Sequence, residues 1–333
     1  MRKIEISPRT ILLIYLIPIG LFLAWSLRGI IIALLISLIL MSGFAPLVDW
    51  FQGKLKFPKI LAVISTYLLA IIFLVLLLFV IIPPLFSQTK EFFRNFPFYV
   101  EQFITIFGKG DAAATYTDNL LTLGANQINT LLNNIVILSF GVFSGIFAFL
   151  SILLITFYLL LERDKIKENI FIFFPHLPKE RVKTLAHRIE EKLGSWVRGQ
   201  LILSLLIGVT TYIGLFILGV EFALPLAVIA AVLEFIPVIG PILSAIPAVI
   251  VALVQSSILG IGVAALYLLI QQLENTVIVP KVMEKAVGLS PLVIILALMI
   301  GGTTFGVLGA LISVPVAAVI SVIFEDFKNH RQG

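Results

Sequence analysis

Glu234 stands alone in apolar sequence. It ends the run Ala223-Leu-Pro-Leu-Ala-Val-Ile-Ala-Ala-Val-Leu and is followed at once by Phe-Ile-Pro237-Val-Ile-Gly240-Pro241. A carboxylate at that place can hold a proton, hold a cation, or exchange one for the other. An ionisable group in membrane-like sequence marks an ion or substrate path by default. The plainer alternative is a buried acid bonded to carbonyls that Pro237 frees. A second polar group follows at Gln271, Glu274 and Asn275. Spacings of three and four put these side chains on one face of a helix, where they could meet a cation or a hydroxyl-rich solute. Their plainer reading is a polar cluster that ends a helix, which Pro280 and Lys281 favour. Gly301, Gly302, Thr303 and Thr304 interrupt a third apolar run. Glycine frees the backbone there, and the threonine hydroxyls can bond to carbonyls or to a ligand.

The elements that must carry these groups are membrane helices. Of 333 residues, 60% are hydrophobic and only 12% are charged, and the mean hydropathy is +1.15. Soluble domains carry about 25% charged residues. Segments at roughly 11–27, 30–48, 59–82, 136–161, 200–219 and 258–276 each approach the ~20 residues that span a bilayer. The first is expected to be retained, because no good cleavage site follows it. The apolar regions 223–254 and 289–324 are broken instead, the first at Pro237–Pro241 and the second at Gly301–Gly306. Neither half of the first is long enough to span. Such breaks survive at membrane depth only when buried in protein or facing a polar cavity. The expected fold is an all-α polytopic membrane protein: about six full transmembrane helices, two broken or re-entrant helical hairpins, and an amphipathic cytoplasmic helix.

Charge sets the expected orientation. Basic residues concentrate in 1–9, 49–59 and 162–199, which the positive-inside rule assigns to the cytoplasm together with the tail 326–333. Both termini are then cytoplasmic, in the cytoplasmic (inner) membrane. If both broken regions are hairpins, Lys281 and Lys285 fall on that side too; if they are single broken spans, the two lysines fall outside. The expected organisation is N-terminal helices 1–84, an extracytoplasmic amphipathic segment 85–135, a helix 136–161, a cytoplasmic amphipathic segment 162–199, a transport core 200–325, and the tail. Within 162–199, Val182, Leu185, Ile189, Leu193 and Trp196 recur at helical spacing, so 178–198 reads as a surface helix with a solvated charged face.

Several chemistries have no foundation here. There is no cysteine, and His176, His187 and His330 show no ligand spacing. No metal centre, cofactor or catalytic residue is expected. No phosphate-binding loop or hydrolase motif occurs, so neither ATP-driven pumping nor hydrolysis is indicated. The net charge of +5 lies in loops between spans and does not indicate nucleic-acid binding.

The C-terminal third carries a resemblance. Glu234-Phe-Ile-Pro-Val-Ile-Gly-Pro241, Gln271-Gln-Leu-Glu274-Asn-Thr-Val-Ile-Val-Pro280-Lys281, Val287-Gly-Leu-Ser-Pro291, and Gly301-Gly302 through Phe305-Gly306 to Pro315 resemble the autoinducer-2 exporter (AI-2E) family of membrane transporters. The layout of the whole chain fits that family. Glu284 departs from it, at a loop position where the family usually has a small residue. The resemblance implies secondary transport and homo-oligomeric assembly in the lipid bilayer. It spans exporters of a quorum-sensing furanone and sodium(lithium)/proton antiporters, so the solute, Na+ or H+ all remain open as partners. The expected site comprises Glu234, Pro237, Gly240, Gln271, Glu274, Asn275, Gly301, Gly302, Thr303 and Thr304. A third possibility, a membrane assembly factor that moves nothing, requires these polar groups to be mutually paired and closed.

Overall fold

The structure is a computed structural model that describes residues 15–16, 18–20, 22–23, 25–76, 79, 82–83, 135–237, 239–283 and 288–329. The expected external segment lies outside the described residues apart from Ile135. So do Glu284 and Lys285 and the last four residues. Among the described residues the secondary structure is helical, with no strand. The chain is an all-α polytopic membrane protein.

The long helices are α1 (Arg28–Lys54), α2 (Lys59–Leu76), α3 (Ile135–Asn169) and α4 (Lys179–Ile217). Two short helices follow, α5 (Ala223–Leu233) and α6 (Ile239–Gln255). Then come α7 (Ser257–Leu273), which continues through a π-helical turn (Glu274–Ile278) into Val279–Met283, and α8 (Pro291–Asn329). Five of the described helical stretches are long and apolar enough to cross a membrane. The expected boundaries at 161/162 and 199/200 are not breaks. Helices α3 and α4 each run unbroken from an apolar half into a charged one.

Ion pairs gather helix ends at one end of the bundle. Arg163 of α3 meets Asp49 of α1 at 2.6 Å and Glu190 of α4 at 2.5 Å, and Lys167 meets Glu190 at 2.6 Å. Lys59 pairs with Asp164. Arg181 and Arg188 of α4 reach Asp326 (2.7 Å) and Glu325 (3.1 Å) at the end of α8. The loop 49–59, the segment 162–199 and the end of α8 therefore share one end, as their basic residues suggested. The charged face of α4 is not solvated throughout. Glu190 is buried, because two cations from α3 close over it. Burial pushes its carboxyl group up, but hydrogen bonds from Arg163 and Lys167 outweigh that and hold it below the usual carboxylate range.

Helix α4 serves as a ruler for the two broken regions. Helices α5 and α6 start and finish beside the far end of α4: Leu215, Phe222, Ala223, Leu226, Val251 and Ala252 share one buried cluster. Their turn begins at Glu234, which lies against Gln200. Helix α8 does the opposite. Just before it, Gly288 sits next to Lys192 in the charged half of α4, and its last turns return there to Arg181 and Arg188. Between them the chain reverses at Gly306, whose φ of 64° and ψ of −146° suit only glycine. Gly301 and Gly309 then meet backbone to backbone; a Cβ on either would fall within 3.0 Å of the other's carbonyl oxygen. A straight helix would set those residues about 12 Å apart. Each broken region thus folds back on itself as a helical hairpin, and the two turns lie at different heights along α4. Ile236, at the turn of the first, packs on a cluster that includes Leu298, Ala310 and Ile312 of the second.

Candidate functional site

The site forms where α5 stops. A helix end leaves carbonyls without intrahelical donors, and an apolar setting gives them no water. Here α4 supplies the donors. Gln200 Nε2 donates to the Glu234 carbonyl oxygen at 2.7 Å, and Ser204 Oγ donates to the Ala231 carbonyl oxygen at 2.5 Å. The two residues lie four apart, on one face of α4. Four residues further on, Gly208 lets α5 approach: a Cβ there would meet the Ala231 methyl within 3.0 Å. Gly240 makes the turn equally close, since a Cβ would collide with the Leu233 carbonyl. Pro237 takes part through its carbonyl, which accepts from the Ile239 amide at 2.8 Å.

This clamp holds Glu234 at 1% exposure, with Oε2 making no hydrogen bond. From α7, Glu274 comes to the same level. It is 6% exposed and accepts a hydrogen bond from Gln271 Nε2 at 3.3 Å; Ile270, one turn before it, shares a buried cluster with Ala230, one turn before Glu234. Among the described residues no Lys, Arg or His forms an ion pair with either carboxylate. Both acids belong to the protein interior, yet neither has a cationic partner among the described residues. A buried carboxylate in that position must hold a proton or a metal cation.

Asn275 does not join this face; it is exposed. The π-helical turn that begins at Glu274 changes the register after it, and Pro280 supplies a cause. Proline has no N–H, and its ring presses on the carbonyl four residues back, which a wider turn relieves. The helix therefore passes through the polar cluster instead of ending there. Gly301, Gly302, Thr303 and Thr304 belong to the second hairpin. Thr303 Oγ1 donates to Met299 O at 2.7 Å and Thr304 Oγ1 to Ile300 O at 2.6 Å, so both hydroxyls are used within their own helix. Thr304 and Phe305 line a cleft of about 670 Å³ with Trp25 and Arg28 at the start of α1. Gln200 and Ser204 went unnoticed in the sequence, where they open an apolar span and look like its margin. Their spacing of four was the available signal.

Comparison with known proteins decides the family. The model of the "AI-2E family transporter" matches residues 12–329. The chain belongs to the AI-2E transporter family. A relative in Bacillus subtilis (strain 168), "Putative transport protein YrrI", is 25% identical over 316 residues, covering 92% of this chain and 88% of that protein. YueF of the same organism, named in the same words, is 28% identical over 314 residues, covering 87% and 82%. The "Sodium-lithium/proton antiporter" of Halobacillus andaensis is 26% identical over 297 residues, covering 84% of each chain. As an AI-2E family member the chain is a multi-pass membrane transporter, and the helix turns before the acids of its two motifs pack together through Ala230 and Ile270.

Proposed function

We propose that this AI-2E family member is an ion-coupled secondary transporter that exports a small solute, and that Glu234 and Glu274 hold the driving ion. One observation carries the reading: two buried carboxylates, each one turn beyond a residue of one shared cluster, have no cationic partner among the described residues. A transporter needs a group that exchanges its proton or cation as access alternates. Both hairpins are re-entrant in the membrane, one from each side. Broken helices of this kind bring freed carbonyls and polar side chains to a substrate or ion. The charged end faces the cytoplasm, the termini lie there, and the assembly is a homo-oligomer. Sodium(lithium)/proton antiport is the second reading, supported by the name of the Halobacillus andaensis relative and by an acid pair suited to a small cation. A furanone signal of the autoinducer-2 type is a candidate solute, on the family resemblance.

Purified protein in proteoliposomes loaded with a pH-sensitive dye tests the reading. Under an imposed pH gradient, proton movement is expected on addition of Na+, of Li+, or of a hydroxyfuranone. Sodium or lithium alone would select antiport; the furanone alone would select export. Proton flux unchanged by all three would refute ion-coupled transport of these substrates.

A further inference from the structure

A cavity of about 780 Å³ opens between α4, α6 and α7, with Glu274 and Gln271 among its lining residues. That volume suits a small organic molecule and far exceeds what one metal ion needs. Its wall is chiefly aliphatic, from α6 residues such as Ile246, Val249 and Leu253. Three hydroxyls interrupt it, and that of Ser244 is spent on the Pro241 carbonyl at 3.0 Å. Thr211 of α4 is 1% exposed and its Oγ1 has no hydrogen-bond partner; the phenol oxygen of Tyr267 on α7 has none either. Elsewhere among the described residues, buried hydroxyls have partners. The neighbouring Thr210 bonds to Leu206 O at 2.7 Å, Thr66 to Ala62 O and Thr156 to Ile152 O, and Tyr67 donates to Leu153 O at 2.8 Å. A helical threonine easily bonds back to its own turn. Thr211 does not, and a buried hydroxyl left unpaired is costly.

We propose that this cavity is the cargo chamber, and that it takes a small neutral amphipathic molecule: a ring or short alkyl body bearing hydroxyl or carbonyl groups that bond to Thr211 and Tyr267. The inference rests on the transport reading and adds the class of solute. A polyhydroxylated solute is a poor match, because most of its hydroxyls would face aliphatic wall without partners. Glu274 links chamber and ion site, since it belongs to both. Cargo and ion would therefore be bound within one another's reach. Neither hydroxyl was a sequence candidate.

The test is photolabelling of the full-length protein in lipid nanodiscs with 4-(3-trifluoromethyl-diazirin-3-yl)benzyl alcohol. Labelled peptides are read by mass spectrometry. Labelling within 241–253 and 264–274 is expected, with competition by benzyl alcohol and none by sorbitol. Thr211→Val and Tyr267→Phe, made singly, each remove only an unpaired hydroxyl, so both should fold. Each should raise the half-saturating probe concentration about fivefold, the worth of one hydrogen bond. Equal labelling of the same peptides by the hydroxyl-free diazirine would mean a lipid-filled seam and would overturn the proposal. Unchanged saturation in both variants, or no labelling there, would overturn it as well. Glu234→Gln should keep the labelling. Intact labelling in a protein that moves no protons would refute the ion coupling and leave the chamber standing.

Discussion

Replacing Gly309 by alanine should unseat the second hairpin. The added Cβ falls within 3.0 Å of the Gly301 carbonyl oxygen, a backbone atom that no rotamer change can move. Overpacking against yielding side chains costs about 1–3 kcal/mol. Against backbone the upper end, about 3 kcal/mol, is the fitting expectation for Gly309→Ala, with Gly301→Ala close behind. Gly302→Ala is the control one residue away. Its nearest neighbour would be the Ala310 methyl at 4.0 Å, an ordinary contact. Alanine also gains up to about 1 kcal/mol of helix propensity over glycine. Gly306→Ala meets no neighbour, yet must hold φ near 64°, a strain of about 1–3 kcal/mol. The expected order of heat resistance is therefore Gly302→Ala at or above the wild type, then Gly306→Ala, then Gly309→Ala. Aggregation onset of detergent-purified protein, followed by fluorescence-detected size exclusion, gives that order. If Gly309→Ala were as resistant as Gly302→Ala, the two arms of α8 would not meet at Gly301 and Gly309, and the hairpin reasoning would be wrong.

Three further outcomes are expected. Glu190→Gln leaves Arg163 and Lys167 without their shared partner and should cost about 3 kcal/mol, less whatever Arg163 recovers through Asp49. Because the folded Glu190 carboxyl is held below its ordinary value of 4.5, its contribution is present above that pH and is lost as pH falls through the lower folded value; acid titration of aggregation onset should show this loss in the wild type and not in Glu190→Gln. Gln200→Leu strands the Glu234 carbonyl and should lower stability by about 1–3 kcal/mol, whereas a result equal to wild type in the same assay would deny the clamp. Lys285→Cys, in a chain without native cysteine, should react with impermeant maleimide only from the cytoplasmic side; reaction only from outside would reject the re-entrant topology.

The sequence yields the fold to the extent that hydropathy and breaker residues define it. Glu234 and Glu274 stood out because a carboxylate in apolar sequence is conspicuous, and both are buried in the structure. The breaks were readable at Pro237–Pro241 and Gly301–Gly306, while the choice between hairpins and single broken spans was not; the second reversal is sited at Gly306, where φ turns positive. What escaped depends on tertiary partners. Gln200, Ser204 and Thr211 are neutral residues whose roles appear only once α5 and α6 are docked on α4. Burial of Glu190 needs two cations from α3. Asn275 is exposed beside buried Glu274, in a π-helical turn that the spacing of the sequence did not signal.

The central claim is that Glu234 carries the exchangeable proton, and Glu234→Gln tests it most directly. The amide keeps the size and neutrality of the protonated acid, and Gln200 still caps the backbone carbonyl. Transport by wild type and variant should be measured in proteoliposomes from pH 5.5 to 9. Proton coupling through Glu234 predicts a strong pH dependence in the wild type, and in Glu234→Gln a slow rate that is flat with pH. Wild-type pH dependence retained in Glu234→Gln would contradict the claim and move the proton site to Glu274.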